Sequence, residues 1–143
     1  KVGAPSYLYL FDHGYHEADS AGLHAFHASE LPYMFGNMDR TPQFWPKIPA
    51  TPQESRLSDA MLGYWTSFAK TGTPSADNEA AWAPYGSAGA YMHFADAPKP
   101  ASDLFPGMFE LHEEAVCRRR KSGDQPWNWN TGLVSPTLGA ACP

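Results

Sequence analysis

Hydrophobic positions along the chain predict one buried strand and one long amphipathic helix. Residues 7–11 form a continuous apolar run that is too short for a helix and rich in aromatic side chains, which favours a strand buried on both faces. Such strands lie inside sheets covered on each side, most often parallel ones. In residues 55–70, apolar side chains recur at helical spacing, and Gly72 and Pro74 end the pattern. The apolar stripe consists of Leu57, Met61, Tyr64, Trp65 and Phe68.

Weaker patterns fill the rest of the chain. Residues 90–94 alternate in polarity and predict a strand, and residues 104–120 predict a second helix. Residues 13–28 predict a polar, histidine-rich loop, and residues 29–34 a short helix or turn. The four prolines of residues 39–53 predict an irregular excursion.

This set of elements does not complete a sheet. Two predicted strands leave the doubly apolar strand without enough neighbours. We therefore expect an α/β architecture in which this chain packs on a larger body that supplies the remaining strands.

Charge and length limit the classes of function. The 143 residues carry a formal charge of −5 with scattered acidic positions, which argues against nucleic-acid binding. The basic run at residues 118–121 fits a solvated last helical turn. No stretch approaches the roughly 18 apolar residues needed to cross a bilayer. Because the chain begins with Lys1 and not with Met, we expect a processed piece or the end of a longer chain, and we expect no signal peptide within these residues.

Two histidine pairs raise a metal hypothesis. His13 with His16, and His24 with His27, have the spacing His-x-x-His, and imidazoles are zinc ligands. Gly14 interrupts this stretch, whereas strong zinc motifs fix their histidines on a helix or a cysteine knuckle. A metal-binding fragment therefore stays an alternative, while our preferred interpretation includes no metal and no cofactor.

His27 fits a second interpretation better. It follows the buried strand by one loop, and the α/β-hydrolase fold places its histidine last in the triad, after the nucleophile and the acid. The segment from His27 onward resembles the histidine motif of the type-B carboxylesterases, the group that includes cholinesterases and bile-salt-stimulated lipase. The matching positions are His27, Glu30, Leu31, Tyr33, Phe35 and Gly36.

Further matches follow in order along the chain. The predicted strand at residues 6–13 resembles the family's strand that ends in an acidic residue and histidine. The helix end at residues 64–74, the turn at 82–85 and the strand at 91–94 resemble the segments that follow in the family. The resemblance implies that residues 1–121 are the C-terminal part of an α/β-hydrolase catalytic domain, with a polar, tryptophan-containing tail at residues 122–143.

The resemblance implies acyl transfer from an ester to water. His27 would take the proton of a serine hydroxyl and pass it to the leaving alcohol. Glu30 matches a glutamate beside the family's histidine, and we expect it to support the loop, by bonding backbone amides, rather than to be the triad acid. Phe26 and Leu23 either line the alcohol side of a substrate pocket or pack within the loop.

Several parts of such an enzyme are missing from this chain. The sequence has no Gly-x-Ser-x-Gly nucleophile motif and no oxyanion-hole glycines. We therefore expect the chain to be inactive alone and to act on a small-molecule ester only with an N-terminal polypeptide of the same enzyme. That polypeptide would carry the serine, the triad acid and the oxyanion hole.

The disulfide state of the two cysteines bears on the cellular compartment of the protein. Cys117 and Cys142 could pair with each other, pair with cysteines elsewhere or stay free. Cys117 matches a family position that often forms a disulfide with a cysteine upstream of the first strand, which would make the bond intermolecular. If it is present, it favours a secreted or periplasmic protein over a cytoplasmic one.

One alternative belongs to another class of function. Some cholinesterase-like domains are interaction modules that have lost their triad, and a chain without a serine motif could be one. The presence of His27 argues against that interpretation.

Overall fold

The computed structural model describes residues 3–86 and 88–121, except for the side chains of residues 119 and 120. The chain divides into two units, Lys1–Leu104 and Phe105–Pro143. The first unit contains strands β1 (Leu8–Phe11), β2 (Ala90–Phe94) and β3 (Pro98–Ser102). Its helices are α1 (His16–Ser20), α2 (Leu31–Met34) and α3 (Pro52–Thr71). The second unit contains α4 (Met108–Lys121).

The three strands form one sheet in the order β1-β2-β3. β1 pairs with β2 in parallel, with Leu8 opposite Tyr91, and β2 pairs with β3 antiparallel. The parallel pairing of the doubly apolar strand agrees with its sequence pattern. Among the described residues β1 has a strand partner on one side only.

The core of the first unit lies between this sheet and α3. Met92 and Phe94 of β2 are fully buried, and so are Met61 and Tyr64 of α3. The rings of Tyr64 and Phe94 meet edge to face with centroids 5.8 Å apart. Full burial of such a side chain contributes about 1.5–3 kcal/mol. This packing fixes α3 on the sheet.

Helix α3 begins and ends at residues suited to those positions. Thr51 is its N-cap and accepts a hydrogen bond from the Glu54 amide at 3.3 Å. Pro52 occupies the first helical turn, where a missing N–H costs nothing. Gly72 ends the helix in the left-handed region with φ of 76°. The helix therefore starts three residues before its predicted beginning at Ser55.

Two elements differ from the sequence prediction. The predicted loop at residues 13–28 contains the short helix α1, whose Ala18 is fully buried. Strand β3 was not predicted, because Pro98 and Pro100 remove backbone donors from it. A proline is tolerated there since β3 is at an edge of the sheet that the described residues form.

Candidate active site

His27 is exposed at the tip of a tight turn. The Ser29 amide donates to the carbonyl of Phe26 at 3.0 Å, and the Phe26 amide donates to Ser29 Oγ at 3.1 Å. Ser29 is only 1% exposed, so the turn is anchored in the protein interior while its tip faces outward. Within the described residues the His27 ring makes no hydrogen bond or ion pair. Its two ring nitrogens are therefore available to a group from elsewhere.

Strained backbone lies on both sides of His27. His24 has φ of 50° and Ala28 has φ of 67°, in the left-handed region that non-glycine residues rarely adopt. Each such residue costs on the order of 1–3 kcal/mol and persists only when its surroundings hold it. One restraint is the hydrogen bond between His24 Nδ1 and Asp19 Oδ1, at 2.8 Å. Hydrogen bonds of His24 and of the buried Ser29 thus hold the turn in a specific conformation.

Glu30, the expected supporting residue, lies at the N-cap of α2 and is half-buried. The carbonyl of Glu30 accepts from the amides of Tyr33 and Met34, at 3.1 and 2.9 Å. Its side chain makes no capping hydrogen bond, so the expected bonds from this carboxylate to backbone amides are absent at the start of α2. The carboxylate lies close enough to Tyr9 that its charge, after burial, helps to raise the pKa of that phenol.

The two candidate pocket residues differ in environment. Phe26 is half-buried against the core, and its ring meets Trp45 edge to face with centroids 4.9 Å apart. Leu23 is 45% exposed. Packing therefore accounts for the position of Phe26, whereas Leu23 has an apolar side chain facing solvent.

A buried polar cluster joins the segments on either side of the loop that carries the turn. Glu54 of α3 receives two hydrogen bonds on one oxygen, Oε2, from His13 Nε2 at 2.8 Å and from the Tyr33 hydroxyl at 2.6 Å. All three residues are at most 5% exposed. His13 Nδ1 is 3.5 Å from the carboxylate of Asp96 and forms no hydrogen bond. The cluster connects the end of β1, α2 and α3.

The electrostatics of this cluster favour a charged pair. Burial opposes the charge on His13, but the hydrogen bond and charge of Glu54, helped by Asp96, outweigh it and raise the pKa of His13. Burial alone would raise the pKa of Glu54, yet hydrogen bonds from His13 and Tyr33 and the charge of His13 lower it. Burial and Glu54 raise the pKa of Tyr33 well above its usual value, so its hydroxyl remains a donor.

Sequence reasoning missed Glu54 and left His13 without a role. The signal for Glu54 is ambiguous, because Thr51-Pro52-Gln53-Glu54 has the pattern of a helix capping box. In that motif the glutamate would turn back to the Thr51 amide, but the Thr51 amide donates to Pro49 and the Glu54 carboxylate points inward. Only the tertiary structure brings residues 13, 33 and 54 together.

The other histidines form no metal centre in the part of the chain that the structure describes. His93 Nε2 is 3.3 Å from the Asp12 carboxylate, and His24 pairs with Asp19 as above. His16 and His112 are exposed. Across residues 3–86 and 88–121, no group of three or more His, Cys, Asp and Glu side chains is arranged to hold a metal ion. The metal hypothesis therefore has no cluster in support of it.

A sequence model described as "Carboxylesterase family" matches residues 1–110 of this chain, which is more than half of it. The chain belongs to the carboxylesterase family. Its resemblance to the type-B carboxylesterases, noted from the motif around His27, is thereby confirmed at the level of the family.

Individual relatives agree with this membership. The chain is 39% identical over 74 residues to para-nitrobenzyl esterase of Bacillus subtilis, covering 52% of this chain and 14% of that protein. It is 37% identical over 86 residues to bile salt-activated lipase of Homo sapiens, covering 57% of this chain and 11% of that protein.

Solved structures give the fold. The carboxylesterase EST55 of Geobacillus stearothermophilus superposes with a TM-score of 0.57 at 31% identity, over 72% of this chain and 21% of that chain. A structure of PNB esterase superposes with a TM-score of 0.62 at 30% identity, over 76% of this chain and 21% of that chain. This carboxylesterase-family chain therefore forms part of an α/β-hydrolase fold, as its sequence predicted, and spans only 11–21% of the length of these relatives.

The described helices and Cys117 bear on the predictions about membranes and disulfides. No helix among the described residues is long and apolar enough to cross a membrane. Cys117 lies in α4 and is not a free thiol. The predicted division at residue 122 and the tryptophans of the tail lie outside the described residues.

Proposed function

We propose that this chain supplies the general base, His27, to a serine esterase that hydrolyses carboxylic esters. One observation carries the proposal: in a chain of the carboxylesterase family, an exposed histidine without a described partner projects from an anchored turn that follows β1. In α/β folds the groups that act on ligands lie beyond the carboxyl ends of central strands. Both the position and the free ring nitrogens support this role.

The proposed reaction follows from the chemistry of imidazole. One ring nitrogen of His27 accepts the proton of the serine hydroxyl as its oxygen attacks the ester carbonyl. The imidazolium then donates that proton to the departing alcohol, leaving an acyl-enzyme. Water repeats the cycle and releases the acid. A carboxylate must hold the other ring nitrogen throughout, and no cofactor is needed.

The serine, the triad acid and the oxyanion hole would come from the N-terminal portion of the same enzyme, which lies outside these residues. The open side of β1 supports this part of the proposal. The Asp12 amide donates to the carbonyl of Phe94 at 2.8 Å, so residues of alternate parity in β1, Tyr9 and Phe11, direct their backbone groups away from β2. A further parallel strand could pair there. This chain alone would be inactive.

The neighbours of His27 have subordinate roles in this proposal. Glu30, half-buried at the start of α2, would support the histidine loop through its backbone carbonyl, which accepts from the amides of Tyr33 and Met34, and would not touch the ester. Leu23 is exposed on the same loop and would contact the alcohol portion of the substrate. Phe26 would act mainly through its packing on Trp45. We also propose an exported protein, since Cys117 is not a free thiol.

Replacement of His27 tests the proposal in the assembled enzyme, which contains this chain together with the portion that carries the serine. We expect His27→Ala to lower kcat for a p-nitrophenyl ester by about 10⁴-fold or more, since loss of a triad member removes most of the catalysis. The unfolding midpoint should barely change, because the ring is exposed and without a described partner.

His16→Ala is the matched control. His16 is also an exposed histidine between β1 and α2. It should keep wild-type kcat. Wild-type turnover in His27→Ala, or an equal loss in both variants, would contradict the proposed role of His27.

A further inference from the structure

The loop that carries His27 has both of its ends bonded to the same oxygen atom. It leaves the sheet at His13, just after β1, and enters α2, where Tyr33 lies. His13 and Tyr33 both bond Glu54 Oε2, although they are 41 and 21 residues away from Glu54 in sequence. The Glu54 carboxylate on α3 therefore binds both His13 and Tyr33, the residues at the two ends of the loop.

Burial makes the two hydrogen bonds to Glu54 costly to break. His13 is 3% exposed, Tyr33 is fully buried and Glu54 is 5% exposed. If either partner moved away, a buried carboxylate would lose a charge-assisted hydrogen bond without gaining water in its place. The three groups are therefore expected to stay together while the exposed turn experiences solvent and ligand.

Helix α3 also holds α2 at a second point. One turn after Glu54, the Ser58 hydroxyl donates to the carbonyl of Tyr33 at 2.9 Å, and Ser58 is 3% exposed. Tyr33 is thus fixed by its hydroxyl and by its backbone. Helix α3 is itself packed on the sheet through Met61 and Tyr64.

The connection from Tyr33 to His27 is short and continuous. The Tyr33 amide donates to Glu30, and the Leu31 amide donates to Ala28, both at 3.1 Å. The Ser29 bonds to Phe26 then complete the turn around His27. These bonds overlap along the segment, so a series of short backbone links leads from the turn at Phe26 and Ser29 to Tyr33, whose hydroxyl bonds Glu54.

We propose that Glu54, acting through Tyr33 and His13, is a positioning residue that sets the location of the His27 ring relative to the nucleophile. In this role Glu54, which is buried and bonds His13 and Tyr33, would act only through other residues and would contact neither substrate nor serine. The inference rests on the proposed function of His27 as the base. General bases depend steeply on placement, since a displacement of about 1 Å can cost about 100-fold in rate.

Tyr33→Phe tests this in the assembled enzyme, because it deletes one hydroxyl and keeps the ring. We expect kcat to fall by about tenfold as the turn loosens, with KM for a p-nitrophenyl ester almost unchanged. Glu54→Gln keeps the shape of the side chain and should lower kcat in the same way. Tyr64→Phe is the matched control. Tyr64 is a fully buried tyrosine of α3, the helix that contains Glu54, and its hydroxyl donates to the carbonyl of Ala80, outside the loop.

Tyr64→Phe should lower the unfolding midpoint but leave kcat at the wild-type value. If Tyr33→Phe also leaves kcat unchanged, or if both tyrosine variants lose kcat in proportion to stability, Glu54 has no positioning role. Amide hydrogen exchange of residues 14–32 separates this inference from the proposed function. Amide exchange in these residues should be faster in Tyr33→Phe and Glu54→Gln than in wild type, and unchanged in Tyr64→Phe. This result is expected even if His27 does not support turnover. Unchanged exchange in the first two variants would overturn the inference.

Discussion

At the residue scale, the pair His13–Glu54 should make stability depend on pH. The groups that face His13 are Glu54 from α3, Asp96 after β2 and the hydroxyl of Tyr33 from α2, which shares the Glu54 oxygen. Because the pKa of His13 is raised on folding, its contribution is complete below the unfolded value of about 6.5 and is lost as the pH rises through the folded value. The lowered pKa of Glu54 means that its contribution is present above about 4.3 and is lost on acidification.

Urea unfolding of wild type and His13→Asn between pH 6 and pH 9 measures this contribution. The stability difference between the two proteins should be largest near pH 6 and should shrink toward pH 9, because the charge on His13 disappears over that range. His24→Asn is the control, since His24 is exposed and pairs only with the partly exposed Asp19. A difference between wild type and His13→Asn that is constant over pH would contradict a charged His13.

The sequence predicts one part of the site, the motif around His27, but not the cluster around Glu54. His27 and Glu30 are recognisable from a local motif, because the family resemblance is carried by neighbouring residues. The Glu54 cluster is not, because its members are separated by 20 and 21 residues and each has an ordinary local explanation. A buried carboxylate can be recognised only when the packing around it is known.

At the element scale, a tertiary contact of α3 explains why a glycine occupies position 63. A Cβ at Gly63 would lie 2.9 Å from Ala76 Cβ and 3.4 Å from its Cα, so the helix approaches the following loop too closely for a larger residue. We expect Gly63→Ala to destabilise the protein by about 1–3 kcal/mol through overpacking. Helix propensity alone predicts the opposite, a gain of about 1 kcal/mol.

The free energy of unfolding from urea titration decides between these two effects. Ser55→Ala is the control on the same helix, because Ser55 is exposed and should change stability by less than about 0.5 kcal/mol. Stabilisation by Gly63→Ala would show that the loop at Ala76 yields easily, and would contradict the close-packing account.

The elements also differ in how far their sequences predicted them. The long helix and β2 follow directly from periodicity, since their buried residues repeat at helical and strand spacing. Helix α1 has only five residues beside glycines, so it has too few turns for a period to be visible. Strand β3 contains Pro98 and Pro100, and only its position at a sheet edge makes them acceptable.

At the scale of the whole molecule, the first unit has apolar side chains facing solvent where a partner would cover them. Phe35 is 65% exposed at the C-cap of α2, and Leu62 of α3 is 38% exposed. A Cβ added to Gly36, two residues after α2 ends, would lie 3.7 Å from Leu62 Cδ2, so the end of α2 and helix α3 meet at this surface. The chain spans about a fifth of the structures it matches, which is consistent with burial of this surface in the assembled fold.

Phe35→Ala tests that burial in the assembled enzyme. If the rest of the enzyme covers Phe35, the substitution should cost about 3–5 kcal/mol of unfolding free energy, the usual cost of truncating a buried phenylalanine. Gln53→Ala is an exposed control in the first turn of α3 and should cost little. A cost for Phe35→Ala that is as small as that of the control would show that the surface stays open.

The central claim is that His27 reaches a serine hydroxyl that lies outside these 143 residues, in the rest of the enzyme. A crystal structure of the assembled enzyme measures this most directly, as the distance from the nearer ring nitrogen of His27 to the serine Oγ. The account predicts a hydrogen-bonding distance of about 3 Å, with the second ring nitrogen facing a carboxylate. A His27 ring turned away from the cleft, or beyond reach of any serine hydroxyl even through one water, would contradict it.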